Sequence, residues 1–188
     1  MAFDLFLDPP TFELPFVKAM QGFRWGHLPQ RVAYAVAVEE QYLRFHLLIL
    51  ERARFTEAGK IDTKPWAKPL DFTIRAGSVK AAVLVAASIA EAVLRAVAEG
   101  RGYDLPKHEH RRTMGKVLGA WQENDESPKA EVSGLWPVLQ DLHSIRNNVH
   151  LFKAADDPSA SFEAMLAREE KLIPNLIPTI DVLASIKP

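Results

Sequence analysis

Hydrophobic residues recur at three- and four-residue steps along most of the chain, the spacing of one face of an α-helix. Over 30–58 the repeat is Val32, Ala35, Val36, Tyr42, Leu43, His46, Leu47, Leu50 and Ala53, and Gly59 supplies a stop. A second helix is expected from Ser78, a good N-cap. Its buried face is Val79, Ala82, Val83, Ala86, Ile89, Ala90, Val93, Leu94 and Val97, and Gly100 and Gly102 end it. Eight alanines lie between Ala81 and Ala98. Such small side chains let neighbouring helices approach closely, so this helix is expected at the centre. A third helix spans 107–123, with Met114, Val117, Leu118 and Trp121 inward. A fourth begins near Ser133, with Pro137 in its first turn, where a missing N–H costs little. Its stripe is Leu135, Val138, Leu139, Leu142, Ile145 and Val149. The fifth starts near Pro158, with Asp157 as N-cap, and carries apolar residues from Phe162 to Leu183. Pro174 and Pro178 are expected to kink or divide it.

Few residues alternate with a period of two. The connections are a crossing loop over 60–77, with a short extended piece at Asp71–Arg75, and an acidic loop, ENDESPKAE. Residues 1–29 hold four prolines together with Phe3, Phe6, Phe12, Phe16, Phe23 and Trp25. Free tails are poor in aromatics. This stretch therefore reads as an irregular N-terminal arm packed on the body, with a partner-binding segment as the alternative. The expected fold is all-α: residues 30–188 form a four- to five-helix up-and-down bundle.

Composition narrows the function classes. The chain has 188 residues, enough for one domain. With 23 Lys plus Arg against 24 Asp plus Glu, the net charge is −1, which excludes a strongly basic chain that coats nucleic acid. There are no cysteines, hence no disulfide framework, thiolate metal site or Cys nucleophile, and a reducing, cytoplasmic setting fits. The N-terminus carries Asp4, Asp8 and Glu13 rather than a basic start and an apolar run, unlike a secretory signal. Val79–Val97 is the most apolar stretch, but Lys80, Glu91 and Arg95 interrupt it, so no membrane span is expected.

Candidate chemistry gathers at the end of the fourth helix, in DLHSIRNNVHLF. With Leu142 at 0° and 100° per residue, Arg146 falls at about 40°, His150 at about 80° and His143 at about 100°, along one edge of the apolar stripe. Arginine offers a planar fork for phosphate oxygens, and histidine exchanges a proton near neutral pH. Such a pair suits a phosphodiester. The cation would neutralise phosphoryl charge, while the imidazole takes a proton from a ribose 2′-OH or donates one to the leaving oxygen, with no metal or cofactor. The structural alternative is a pair that bonds loop carbonyls near a helix C-terminus.

DLHSIRNNVHLF resembles the signature helix of HEPN domains, helical bundles of prokaryotic defence and toxin–antitoxin systems, and ASIAEAVLRAVAEG resembles an earlier helix of that family. The resemblance covers about residues 30–186, and its diagnostic part is a dozen residues. Active members are metal-independent endoribonucleases that join two Arg–His motifs across a dimer cleft. The resemblance implies that Arg146 binds phosphate, that Asn147 is the motif's polar position, and that His150 is the acid or base. Three residues separate Arg146 from His150, one fewer than the family's usual minimum, which turns the histidine by about 100°. A non-catalytic HEPN-like module that binds a partner protein, a nucleotide or RNA is therefore the other reading, and a purely structural helical partner a third.

The remaining candidates are weaker. KHEHRR is the most basic stretch, so His108, Arg111 and Arg112, with His143, are candidate substrate contacts. His108 and His110 are two apart and point to different sides of a helix, which argues against a metal site. Glu91 reads as a polar-face residue, Glu39 and His46 as hydrogen-bonded core or edge groups, and Trp66, Trp121 and Trp136 as anchors. A homodimer joined beside the fourth helix is expected, with RNA, an antitoxin or a nucleotidyltransferase as candidate partners.

Overall fold

The computed structural model describes residues 2–4, 14–52, 54–56, 68–69, 72–124, 132–147 and 162–188. It is an all-α helical bundle. Six α-helices lie among the described residues: α1 (Leu14–Ala19), α2 (Gln30–Arg52), α3 (Phe72–Gly100), α4 (Met114–Glu123), α5 (Trp136–Asn147) and α6 (Phe162–Ser185). Three short strands, β1 (Ala2–Asp4), β2 (Arg54–Thr56) and β3 (Lys68–Pro69), pair antiparallel in that order, with Phe3 opposite Phe55 and Phe55 opposite Lys68.

Helix α3 is the hub, as its alanines foretold: α2, α4, α5 and α6 all pack on it. Every residue expected on its inner face is buried, and Ala87, Ala96 and Ala98 are buried as well. By length and a mean hydropathy of 1.9, Ile74–Gly100 is long and apolar enough to cross a bilayer, but 67% of that apolar window is buried inside the bundle. Its C-terminus closes on Gly102, whose φ of 73° is a conformation that a Cβ disfavours. The Tyr103 N–H donates to the Ala98 carbonyl and the Gly102 N–H to that of Glu99, satisfying two of the helix's last carbonyls.

The start of α3 differs from expectation. The helix begins at Phe72, so Phe72–Arg75 is helical rather than extended, and Ser78 lies inside the helix. The Ser78 hydroxyl donates back to the Ile74 carbonyl instead of capping. Arg75 explains the early start. It forms an ion pair with Glu169 of α6 at 2.5 Å and donates to the Leu50 carbonyl of α2, holding the first turn between two neighbours. The third helix is shorter than expected, with a 3-10 turn at Glu109–Arg111 before α4.

Helix α6 runs unbroken through Pro174 and Pro178. The prolines are four residues apart and both exposed, so the carbonyls they leave without an N–H face water. The Asn175 amide also donates to the Lys171 carbonyl. Leu172, Leu176, Ile180 and Leu183 fill the opposite face. The expected cap at Asp157, the helix start at Pro158 and the acidic loop over 125–131 lie outside the described residues.

The N-terminal stretch is not irregular throughout. Helix α1 leads into a π-helical turn, Met20–Arg24, closed by the Trp25 N–H on the Met20 carbonyl. Trp25 is fully buried, whereas Phe23 stands almost wholly in solvent. Phe6 and Phe12 are outside the described residues. A buried carboxylate, Glu40 of α2, holds the segment in place. It accepts from the Trp25 indole at 2.9 Å, from Arg24 at 3.1 Å and from Arg44 at 2.8 Å. Arg24 also reaches Asp181 of α6 at 2.5 Å. A buried charge is tolerated when its lone pairs are met in this way.

Close packing on α3 gives the first prediction. Ala90→Leu inserts three carbons where α3 has no room and should destabilise the fold by about 1–3 kcal/mol, whereas exposed Ser88→Ala stays within about 0.5 kcal/mol. Urea unfolding followed by circular dichroism measures both, and equal midpoints would contradict the packing.

Candidate functional site

The C-terminal turn of α5 carries Arg146 and Asn147, and His143 lies one turn earlier. Leu139, Leu142 and Ile145 are buried against α3, which fixes the rotation of α5 and turns Arg146 along α3. There Arg146 forms an ion pair with Glu91. The Arg146 side chain is 38% exposed and that of Glu91 16%. Glu91 is therefore not a solvated polar-face residue: it is a carboxylate on the central helix, facing Arg146 of the same chain.

His143 belongs to the same edge. Its Nε2 lies 2.9 Å from the Asn147 Nδ2, and the contact spans one helical turn. With the amide as donor, the imidazole accepts at Nε2. The same end of the ring meets α4 at Gly115, where an added Cβ would stand 2.9 Å from Nε2. Glycine at 115 is what lets α4 and the His143 ring come so near. The structure thus brings Arg146 to Glu91, and Asn147 and Gly115 to the His143 ring. Asn148, Val149 and His150 lie outside the described residues, so the expected imidazole partner of Arg146 has no described position.

The basic stretch before α4 is tied down elsewhere. Arg112 donates to the carboxylate of Glu99 at 2.6 Å and to the carbonyls of Pro106 at 2.7 Å and Lys107 at 3.4 Å. Arg95 bridges Glu99 and Glu109, both at 2.9 Å. Glu99 is eight residues beyond Glu91 on α3, about 12 Å along the axis. Arg112 therefore locks the 103–112 segment onto the end of α3, and its contacts do not extend to the Arg146 edge. His108, Glu109, His110 and Arg111 are exposed, and the His108 and His110 rings stack at 5.6 Å. Among the described residues no three His, Asp or Glu side chains are grouped to hold a metal ion. A cleft of about 460 Å³ opens between Asp104–Lys107 and the Gly115–Gly119 face of α4, with Lys107, Lys116 and Glu123 at its rim.

The two residues singled out on α2 fare differently. Glu39 is half-buried, and the fully buried acid is its neighbour Glu40. His46 is not hydrogen-bonded: neither ring nitrogen has a partner among the described residues, and the ring stands edge-on to Tyr42 at 4.4 Å. Burial holds its pKa below the ordinary histidine value, so the ring is neutral at pH 7. Trp121 is an anchor as expected, donating from its indole to the Leu94 carbonyl at 2.9 Å. Trp66 is outside the described residues. Comparison with family models, with curated proteins and with solved structures finds no match for this chain.

The Glu99 cluster has a pH signature. Burial pushes the Glu99 carboxyl up, but hydrogen bonds and charges from Arg95 and Arg112 outweigh it and hold the group below the ordinary carboxylate range. Its contribution to stability is therefore present above the unfolded-state pKa of about 4.3 and is lost as pH falls through the lower folded value. Arg112→Met should flatten this acid limb of the stability–pH profile and leave the profile above pH 6 parallel to wild type. An unchanged acid limb would contradict the assignment.

Proposed function

We propose that the chain is a HEPN-like helical module that binds a protein partner and does not cleave RNA. The ion pair between Arg146 and Glu91 carries this reading. Phosphate recognition needs a guanidinium with its charge on offer, and here a carboxylate from the same bundle neutralises it. The three-residue spacing to His150 points the same way. Two further facts support it: net charge is −1, and Arg112, one of the two arginines of the basic stretch, is committed to Glu99 and two carbonyls. Electrostatic attraction to a phosphate backbone requires a basic patch that such pairing removes.

A second reading keeps the metal-independent endoribonuclease of a defence or toxin–antitoxin system. The exposed part of Arg146 and the adjacent His143–Asn147 contact favour it. A phosphate that displaced Glu91 would then restore the Arg–His pair across a dimer cleft.

One assay separates them. Single-stranded RNA is incubated in EDTA with wild type, Arg146→Ala and His150→Ala. The binding-module reading expects intact RNA in all three, and no RNA affinity that falls steeply with salt. Cleavage by wild type that either substitution abolishes would overturn it.

A further inference from the structure

Helix α2 presents a stripe that stands partly in solvent. Tyr34, Val38 and Tyr42 recur every four residues and are 47%, 38% and 51% exposed. Arg31 and Ala35 are exposed beside them, while Gln41 and Phe45 are half-buried. The apolar repeat expected to be inward included Ala35 and Tyr42. The buried face is instead Ala33, Val36, Ala37, Glu40, Leu43 and Leu50, which leaves the aromatic stripe outside. Between Val38, Glu39, Gln41, Tyr42 and Phe45 lies a groove of about 380 Å³. Its floor is ordered by the Tyr42 and Phe45 rings, stacked at 6.5 Å with 11° between their planes.

The geometry points to a second copy of this chain as the occupant, packed antiparallel along α2 with the two-fold axis at Val38. Positions 38, 41, 42 and 45 are one diamond of a helix surface, the four-residue hole that accepts a knob from a facing helix. In an antiparallel pair, residues equidistant from the axis on opposite sides face each other. Tyr34, four before Val38, then faces Tyr42, four after, and lies over the groove of the other copy. Ala35 faces Gln41, a small residue against a larger one. Arg31 faces Phe45, setting a guanidinium over an aromatic ring at both ends of the contact. Val38 meets only its own apolar counterpart, and no charged residue of the stripe opposes its own kind. This self-complementarity is what an isologous contact demands. Helix α2 has 23 residues, about 34 Å of length, so it extends well beyond the stripe on both sides. The contact is independent of the Arg146 edge, and it moves the expected dimer interface from α5 to α2.

The chain has no cysteine, which makes the test direct. Val38→Cys supplies its only thiol, on the axis. Mild oxidation of the full-length protein should give a disulfide-linked dimer, while Gln122→Cys, on the exposed side of α4, should not crosslink. Light scattering at tens-of-micromolar concentration should give twice the 21.1 kDa chain mass for wild type and for Arg146→Ala. Val38→Asp, which places two carboxylates together, should give the single-chain mass with unchanged helical circular dichroism. A monomeric wild type, a Val38→Asp protein that stays dimeric, a Val38→Cys protein that does not crosslink, or dissociation by folded Arg146→Ala would each overturn the proposal.

Discussion

Close approach of backbones around α3 is the constraint on which the rest of this structure depends. A central helix with four neighbours cannot carry bulky side chains on every inward position, because helix axes settle about 8–10 Å apart according to what lies between them. Alanine at 82, 86, 87, 90, 96 and 98 lets α2, α4, α5 and α6 share the same short segment. The same closeness gives Glu91 its role. A carboxylate on so crowded a helix has few routes to water, and Arg146 reaches it from the last turn of α5. The hub thus sets the electrostatic surroundings of Arg146 at the end of α5.

Charged groups do the complementary work of attaching peripheral segments to this hub. Glu40 gathers Arg24, Arg44 and the Trp25 indole, and so pins the chain before α2. Arg75 ties the start of α3 to α6, and Arg112 ties the 103–112 segment to the end of α3. Apart from the Arg44–Glu40 pair within α2, these bonds join residues from different parts of the chain, and each meets a polar group that burial would otherwise penalise. Among the described residues, Arg24, Arg44, Arg75, Arg95 and Arg112 are committed to such pairs. That commitment, more than the near-zero net charge, is what argues against a phosphate-binding surface.

The helical core was legible because its periodicity is strong. All nine inner positions expected on α3, and all four on α4, are buried. The rotation of α2 was not legible. Glu40 sits in the middle of its buried face, and a lone carboxylate reads as a solvent residue until the donors that satisfy it are known. Reading past it turned the expected face toward Tyr42 and hid the exposed stripe. Pro174 and Pro178 predict a kink or division of the helix, because sequence does not show that both lie on the wet side of α6. At the candidate site, Arg146 and His143 lie on α5 along the edge that their spacing implied, and Asn147, further round the helix, meets the His143 ring. The Glu91 partner was invisible because it lies 55 positions earlier on another helix, and only packing around α3 brings it near.

The claim that Arg146 belongs to its own bundle is tested most directly by a double-mutant cycle on Glu91 and Arg146. Unfolding free energies of wild type, Glu91→Ala, Arg146→Ala and the double variant isolate the energy of the pair. A coupling of about 0.5–1 kcal/mol or more is predicted, with the double variant less destabilised than the sum of the singles. Strictly additive effects would mean that the guanidinium is not held by Glu91, and the account of a neutralised motif edge would fail with it.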